Sequence, residues 1–162
     1  MMKTLKMRLE PTAVQKEELE RYIEAMRYLY NAVITACKLT YKNTGVLPTK
    51  FEVFNLCTRF RNNVPFLGDL HSMAVQYTAT AALQACEACL GANKKKRRSK
   101  KKDSEADTPD EEIGASHFPR YKRKGKLNTY AFLSPRYFSL VYEENENGEM
   151  KRKLKLRKIE GR

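Results

Sequence analysis

The feature that most constrains this chain is a run of charge near its middle. Residues 94–102 read KKKRRSKKK and residues 103–112 read DSEADTPDEE, so a basic block runs straight into an acidic one. Neither block has apolar periodicity, and burial of apolar surface is what must offset the entropy lost on ordering a chain. The expectation is a disordered or loosely ordered linker over 93–117. Any core must then come from the regions on either side of it.

The region before the linker has two periods. Leu5, Met7 and Leu9 alternate with Lys6 and Arg8, as in a half-buried strand, and Pro11 ends the alternation. Thr12 with Gln15 then forms a capping-box pattern, and Leu19, Ile23, Met26, Tyr30, Val33 and Cys37 recur every three or four residues. This predicts an amphipathic helix from Ala13 to about Tyr41. A second capping box, Thr49 with Glu52, opens a helix with Val53, Cys57 and Phe60 on one face, punctuated by Pro65 and Gly68. A third helix is expected from Asp69–Ser72 to Gly91, with Val75, Ala79, Ala82, Cys86 and Cys89 as its buried stripe.

After the linker the period becomes two. Tyr130 and Phe132 alternate, as do Phe138, Leu140 and Tyr142, and then Leu154 and Leu156, with Asn147-Gly148 as a hairpin turn signal. A lone N-terminal strand is not stable, so it most simply pairs with these later strands. The expected fold is α+β: a small β-barrel or sheet with a three-helix lobe inserted into it. The corresponding layout is 1–10 first strand, 11–92 helical lobe, 93–117 linker and 118–162 remaining strands.

Charge narrows the partner. Against 19 acidic residues the chain has 32 Lys and Arg, a formal net charge of +13, which favours a polyanion and nucleic acid first. An anionic membrane would attract the same charge. Yet no apolar run approaches the ~18–20 residues of a spanning helix, and no signal peptide opens the chain. No membrane partner is expected, and a cytoplasmic, nucleoid-associated protein is. Four cysteines, Cys37, Cys57, Cys86 and Cys89, sit within apolar patterns, so reduced, buried thiols are the default reading.

The candidate contacts follow from this charge. Phe118, Arg120, Tyr121, Lys122, Arg123, Lys124 and Lys126 interleave rings with cations, which can stack on bases while neutralising phosphates. The plainer alternative is that Phe118 and Tyr121 anchor a strand into the barrel and the lysines face solvent. Lys6 and Arg8 add charge on the first strand. Lys94–Lys102 could meet phosphates without sequence preference. Cys86-x-x-Cys89 resembles half a zinc site, but its i, i+3 spacing in line with Val75 and Ala82 reads as packed core thiols. No metal or other cofactor is expected, and neither His71 nor His117 has a partner triad for nucleophilic catalysis.

The segment KMRLEPTAVQKEELERYIEAMRYLYN, with Arg27-x-x-x-Asn31, resembles the opening of the TnpB/OrfB family of transposon-encoded RNA-guided nucleases. Pro65, Phe66 and Leu67, then Ser72-x-x-x-Gln76, then Phe118-Pro-Arg-Tyr-Lys122 match its further N-terminal landmarks in order. The resemblance implies a wedge-like β-barrel with an inserted recognition lobe of helix-turn-helix type. That lobe would hold guide RNA and read a short motif beside the target. It makes Gln76 a candidate base reader, since Gln can bond adenine bidentately, and Ser72 its neighbour at i−4. The plain alternative is that Ser72 is the helix N-cap and Gln76 a solvated side chain. Arg27 is a further candidate nucleic-acid contact, but for Arg27 and Asn31 together the favoured reading is a helix-surface hydrogen bond that fixes the first helix against the barrel.

In such proteins cleavage belongs to a RuvC-like domain further along, whose clustered carboxylates hold two metal ions. The acidic residues here are scattered, and the chain stops at Arg162, about where that domain would begin. The chain is therefore expected to bind RNA or DNA without cutting it. Three alternatives remain: a split nuclease whose catalytic RuvC-like chain is encoded separately, a stand-alone helix-turn-helix regulator of duplex DNA, and an assembly module whose strand near Leu154–Ile159 captures a partner chain.

Overall fold

The computed structural model describes residues 10–103, 118–126, 131, 136, 138–144, 148 and 150–156, with only the backbone described for 92–103, 151, 152 and 156. The first strand with Lys6 and Arg8, the alternating Tyr130 and Phe132, Asn147 and the linker from 104 to 117 all lie outside the described residues.

Four helices and a hairpin make up the described chain. In order they are α1 (Ala13–Thr44), α2 (Lys50–Asn63), α3 (Pro65–Gly68), α4 (Ser72–Asp103), β1 (Phe138–Glu144) and β2 (Met150–Leu156). Both expected capping boxes form. Gln15 N–H donates to Thr12 Oγ1 at 3.3 Å while Thr12 N–H donates to Gln15 Oε1 at 3.1 Å. At α2, Glu52 N–H donates to Thr49 Oγ1 at 3.3 Å and Thr49 N–H donates to Glu52 Oε2 at 2.7 Å. Each box satisfies backbone donors that a helix start would otherwise leave unpaired. These bonds hold the exposed Glu52 carboxyl below its ordinary range.

The core lies between α1 and α4, with α2 across them. From α1 it takes Tyr22, Ala25, Met26, Leu29, Tyr30, Val33, Ile34 and Cys37, the three-and-four spacing of one helix face. From α4 come Ala74, Val75, Ala79, Ala82, Leu83, Cys86 and Leu90. Alanines on α4 let it approach α1 closely, and the larger side chains of α1 fill the interface. Val53 and Cys57 close the core from α2, with Leu67 of α3 and Leu70 beneath them.

The thiols are part of this packing, as expected. The hydrogen bond that Cys37 and Cys86 share across the α1–α4 interface draws the Cys37 pKa down and pushes that of Cys86 up. Burial pushes Cys57 up to about 11. Cys89 is half-buried, and among the described residues no three His, Cys, Asp or Glu side chains are grouped to hold a metal ion.

Two expectations about α4 need correction. The helix continues past Gly91 to Asp103, so residues 93–103 are helical and not disordered. Lys and Arg are good helix formers, no proline lies between Ser72 and Pro109, and the packed half of α4 supplies the nucleus from which further turns propagate. Ser72 is also not the N-cap. His71, itself buried, accepts Met73 N–H on Nδ1 at 3.2 Å, and its carbonyl accepts Val75 N–H at 3.1 Å.

β1 and β2 pair antiparallel, with Phe138 opposite Leu156, Leu140 opposite Leu154 and Glu144 opposite Met150. Alternation puts Phe138, Leu140, Tyr142 and Leu154 on one side of the hairpin and Val141, Glu143, Lys153 and Lys155 on the other. Lys153 and Glu143 form an ion pair there. The connection spans residues 145–149 and contains Gly148 in the left-handed region, at φ 76°, so the expected hairpin is present. Helices plus an antiparallel pair agree with the α+β class.

Among the described residues, no helix is long and apolar enough to cross a membrane.

Candidate nucleic-acid interface

The 118–126 segment does not form a strand. It lies along the outer face of α1 and runs antiparallel to it. Phe118 packs edge-on against Tyr41, with centroids 5.6 Å apart. Tyr121 places its hydroxyl 3.2 Å from that of Thr35. Lys122 meets Asn31 and Arg27. From Tyr41 back to Asn31 the helix rises about 15 Å at ~1.5 Å per residue, and four extended steps from Phe118 to Lys122 cover about 13 Å at ~3.3 Å each. Matching lengths let each side chain meet its partner without a kink.

Asn31 makes the decisive contact. Its Nδ2 donates to the Lys122 carbonyl at 3.0 Å, and its Oδ1 accepts the Lys122 N–H at 2.8 Å. One side-chain amide thus satisfies both main-chain groups of one residue, as a neighbouring strand would. Arg27 Nη1 reaches the same carbonyl at 3.5 Å, while Arg27 Nη2 lies 2.7 Å from Glu24 Oε2. The expected anchoring role of Arg27 and Asn31 is therefore present, but the anchored element is the 118–126 segment and not a barrel.

This arrangement divides the predicted contact residues. Phe118 is only 8% exposed and belongs to the core, so its ring is a packing anchor and not a stacking surface. Tyr121 is 49% exposed, with Lys38 Nζ 4.3 Å from its ring centroid. Lys122 is half-buried and leans over Tyr30, with Nζ 5.6 Å from the ring. Arg120, Arg123, Lys124 and Lys126 are exposed. A tight turn ends the segment, with Lys126 N–H donating to the Arg123 carbonyl at 3.0 Å and Gly125 at φ 73°, a conformation glycine adopts without a Cβ clash. The nine residues of this segment carry five cations, four of them exposed, on a backbone held against α1.

Ser72 and Gln76 lie elsewhere. Together with Phe54, Cys57, Thr58, Arg61 and Val75 they line a cavity of about 80 Å³ between α2 and α4. Ser72 is exposed and Gln76 half-buried. Arg61 Nη2 donates to the Gly68 carbonyl at 3.4 Å, and its buried Nε has no hydrogen-bond partner among the described residues. The structure thus separates the sequence candidates into a basic ridge on α1 and a small polar groove between α2 and α4.

Thr35, Lys38 and Arg61 were missed by the sequence reading. Thr35 and Lys38 sit at i+4 and i+7 from Asn31, so a search along that face of α1 could have found them. Arg61 carried no such signal.

Residues 1–45 match the family model described as a helix-turn-helix domain, of the OrfB type found in IS605 elements. The match ends at Gly45, which is also the left-handed C-cap of α1, so within the described residues it covers α1 alone. No curated protein and no solved structure is significantly similar to the chain.

Proposed function

We propose that the chain binds nucleic acid along the ridge formed by α1 and residues 118–126, starting from the match of residues 1–45 to a helix-turn-helix domain of the OrfB/IS605 type. One observation carries the reading. Arg120, Arg123, Lys124 and Lys126 are exposed on a segment whose backbone is held to α1 by Asn31. Cations on an ordered backbone lose less entropy on meeting phosphates than cations on a free tail do. Tyr121 adds a half-exposed ring beside them for base stacking.

The resemblance to TnpB/OrfB proteins refines the proposal. The polyanion is a guide RNA, a target DNA or both, and cleavage belongs to a RuvC-like domain, in the same polypeptide or a separate one. In that scheme the β1–β2 hairpin joins the N-terminal strand in a small wedge-like barrel. Its row of apolar side chains, with Tyr142 57% exposed, supports that placement. The groove of Ser72, Gln76 and Arg61 would read bases, since Gln and Arg side chains can bond base edges bidentately.

The test is a titration of the purified, nuclease-treated chain against single-stranded RNA, structured RNA and duplex DNA at two salt concentrations. Tightest binding to structured RNA, weakening with salt, is the expected result. Preference for duplex DNA would instead favour a regulator docking one helix in the major groove. No binding to any of the three would remove the proposal, and Mg2+-dependent cleavage by the chain alone would overturn its non-catalytic part.

A further inference from the structure

Because one side-chain amide holds both main-chain groups of Lys122, we infer that Asn31 is the positioning residue of the basic ridge, setting where the cations of residues 120–126 stand without touching nucleic acid itself. The inference rests on the binding proposed above, and deepens it by naming what orders the site.

The geometry assigns this role to Asn31 and not to its neighbours. Phe118 and Tyr121 fix the segment through side chains and make no bond to its backbone. Among the described residues only Asn31 bonds the backbone of this segment at two points, 3.0 and 2.8 Å, and Lys122 stands between Tyr121 and the turn at Arg123–Lys126. Arg27 has its charge engaged by Glu24 and touches the same carbonyl only at 3.5 Å, so it supports the clamp. The Asn31 amide carries no charge and is turned to Lys122, so its removal deletes no cation from the ridge. Without it the segment would be held only by its rings, the Tyr121 hydroxyl and the long Arg27 bond, and Arg120, Arg123 and Lys124 would have to be ordered further when nucleic acid binds.

The experiment is a cycle of four full-length proteins: wild type, Asn31→Ala, the triple variant Arg120→Ala/Arg123→Ala/Lys124→Ala, and the combination. Each is titrated with structured RNA and with duplex DNA at two salt concentrations. Helix content by circular dichroism checks folding, and the rate of tryptic cleavage within 120–126 reports the clamp directly in the proteins that keep those sites.

The triple variant should bind more weakly with a flatter salt dependence, since each phosphate contact contributes ~0.9 to the slope for duplex DNA and ~0.7 for single strands. Asn31→Ala should lose roughly tenfold in affinity, the scale of two forfeited hydrogen bonds, and its segment should be cut faster while helix content holds. Asn31→Ala should then have no further effect in the triple-variant background. Asn31→Asp, which can still accept the Lys122 N–H, should fall between wild type and Asn31→Ala in cleavage rate.

Wild-type affinity in Asn31→Ala alongside a weakened triple variant would overturn the inference and leave the binding proposal standing. Equal loss from Asn31→Ala with and without the cations would also overturn it, since the residue would then act by another route. Failure of the wild type to bind either nucleic acid would remove the binding proposal and this inference with it, even if faster cleavage in Asn31→Ala confirmed the clamp.

Discussion

The two faces of α1 are held in different ways. Its inner face packs Met26, Leu29, Val33 and Ile34, all without solvent exposure, against the small residues of α4. Its outer face carries Asn31, Thr35 and Lys38, which hold a distant segment through hydrogen bonds and a ring contact. Apolar burial is non-directional and tolerates neighbours of many shapes, whereas the amide pair of Asn31 requires one backbone geometry. The inner face should therefore govern stability and the outer face the placement of charge.

The comparison breaks most readily at Leu29. Leu29→Ala should cost about 2–5 kcal/mol in urea unfolding, the range for deleting a buried leucine and leaving a cavity. RNA affinity of the remaining folded fraction should be unchanged. An affinity loss there larger than that of Asn31→Ala would show that the faces are not separable.

Phe118 tests the boundary between them, because it is buried yet belongs to the distant segment. Phe118→Ala should cost about 2 kcal/mol, below the ~3–5 kcal/mol of a fully enclosed phenylalanine, and should also raise tryptic cleavage within 120–126. Destabilisation with unchanged cleavage would mean that Asn31 alone is sufficient to hold the segment.

Smaller effects belong to the helix starts. Thr49→Ala removes the oxygen that accepts Glu52 N–H, and should cost about 1 kcal/mol in thermal or urea unfolding without altering nucleic-acid affinity. The smallest effect is one of pH. The Glu52 pKa is lowered in the folded chain, so its contribution is complete above the ordinary carboxylate value of about 4.5 and is lost as pH falls through the lower folded value. Melting curves at pH 6 and pH 3 should show the wild type losing slightly more stability on acidification than Glu52→Gln, and identical losses would remove the cap from the account.

Much of the helical lobe was legible beforehand. Thr12 with Gln15 and Thr49 with Glu52 marked two helix starts, and Met26, Tyr30, Val33 and Cys37 marked a face of α1 that is indeed buried. These signals work because caps and helical periodicity relate residues three or four apart. The end of α4 was misplaced because charge was read as disorder, although a chain of good helix formers can extend a helix that packing has already nucleated. For Phe118 the sequence leaves stacking and anchoring open, because a ring among cations looks the same whether it faces a base or Tyr41; its burial against Tyr41 decides for the anchor.

Sequence alone determined the charge, the helix starts, the apolar stripes and the match of the first 45 residues to a helix-turn-helix family model, since each depends on residue identity and short spacing. Only the tertiary structure decided that Asn31 holds Lys122, 91 positions away, and that Ser72, Gln76 and Arg61 share a groove apart from the basic ridge. The reason is physical. A polar side chain can bond any backbone that comes within reach, so its partner is chosen by how helices and loops pack, and that choice is written in no local pattern.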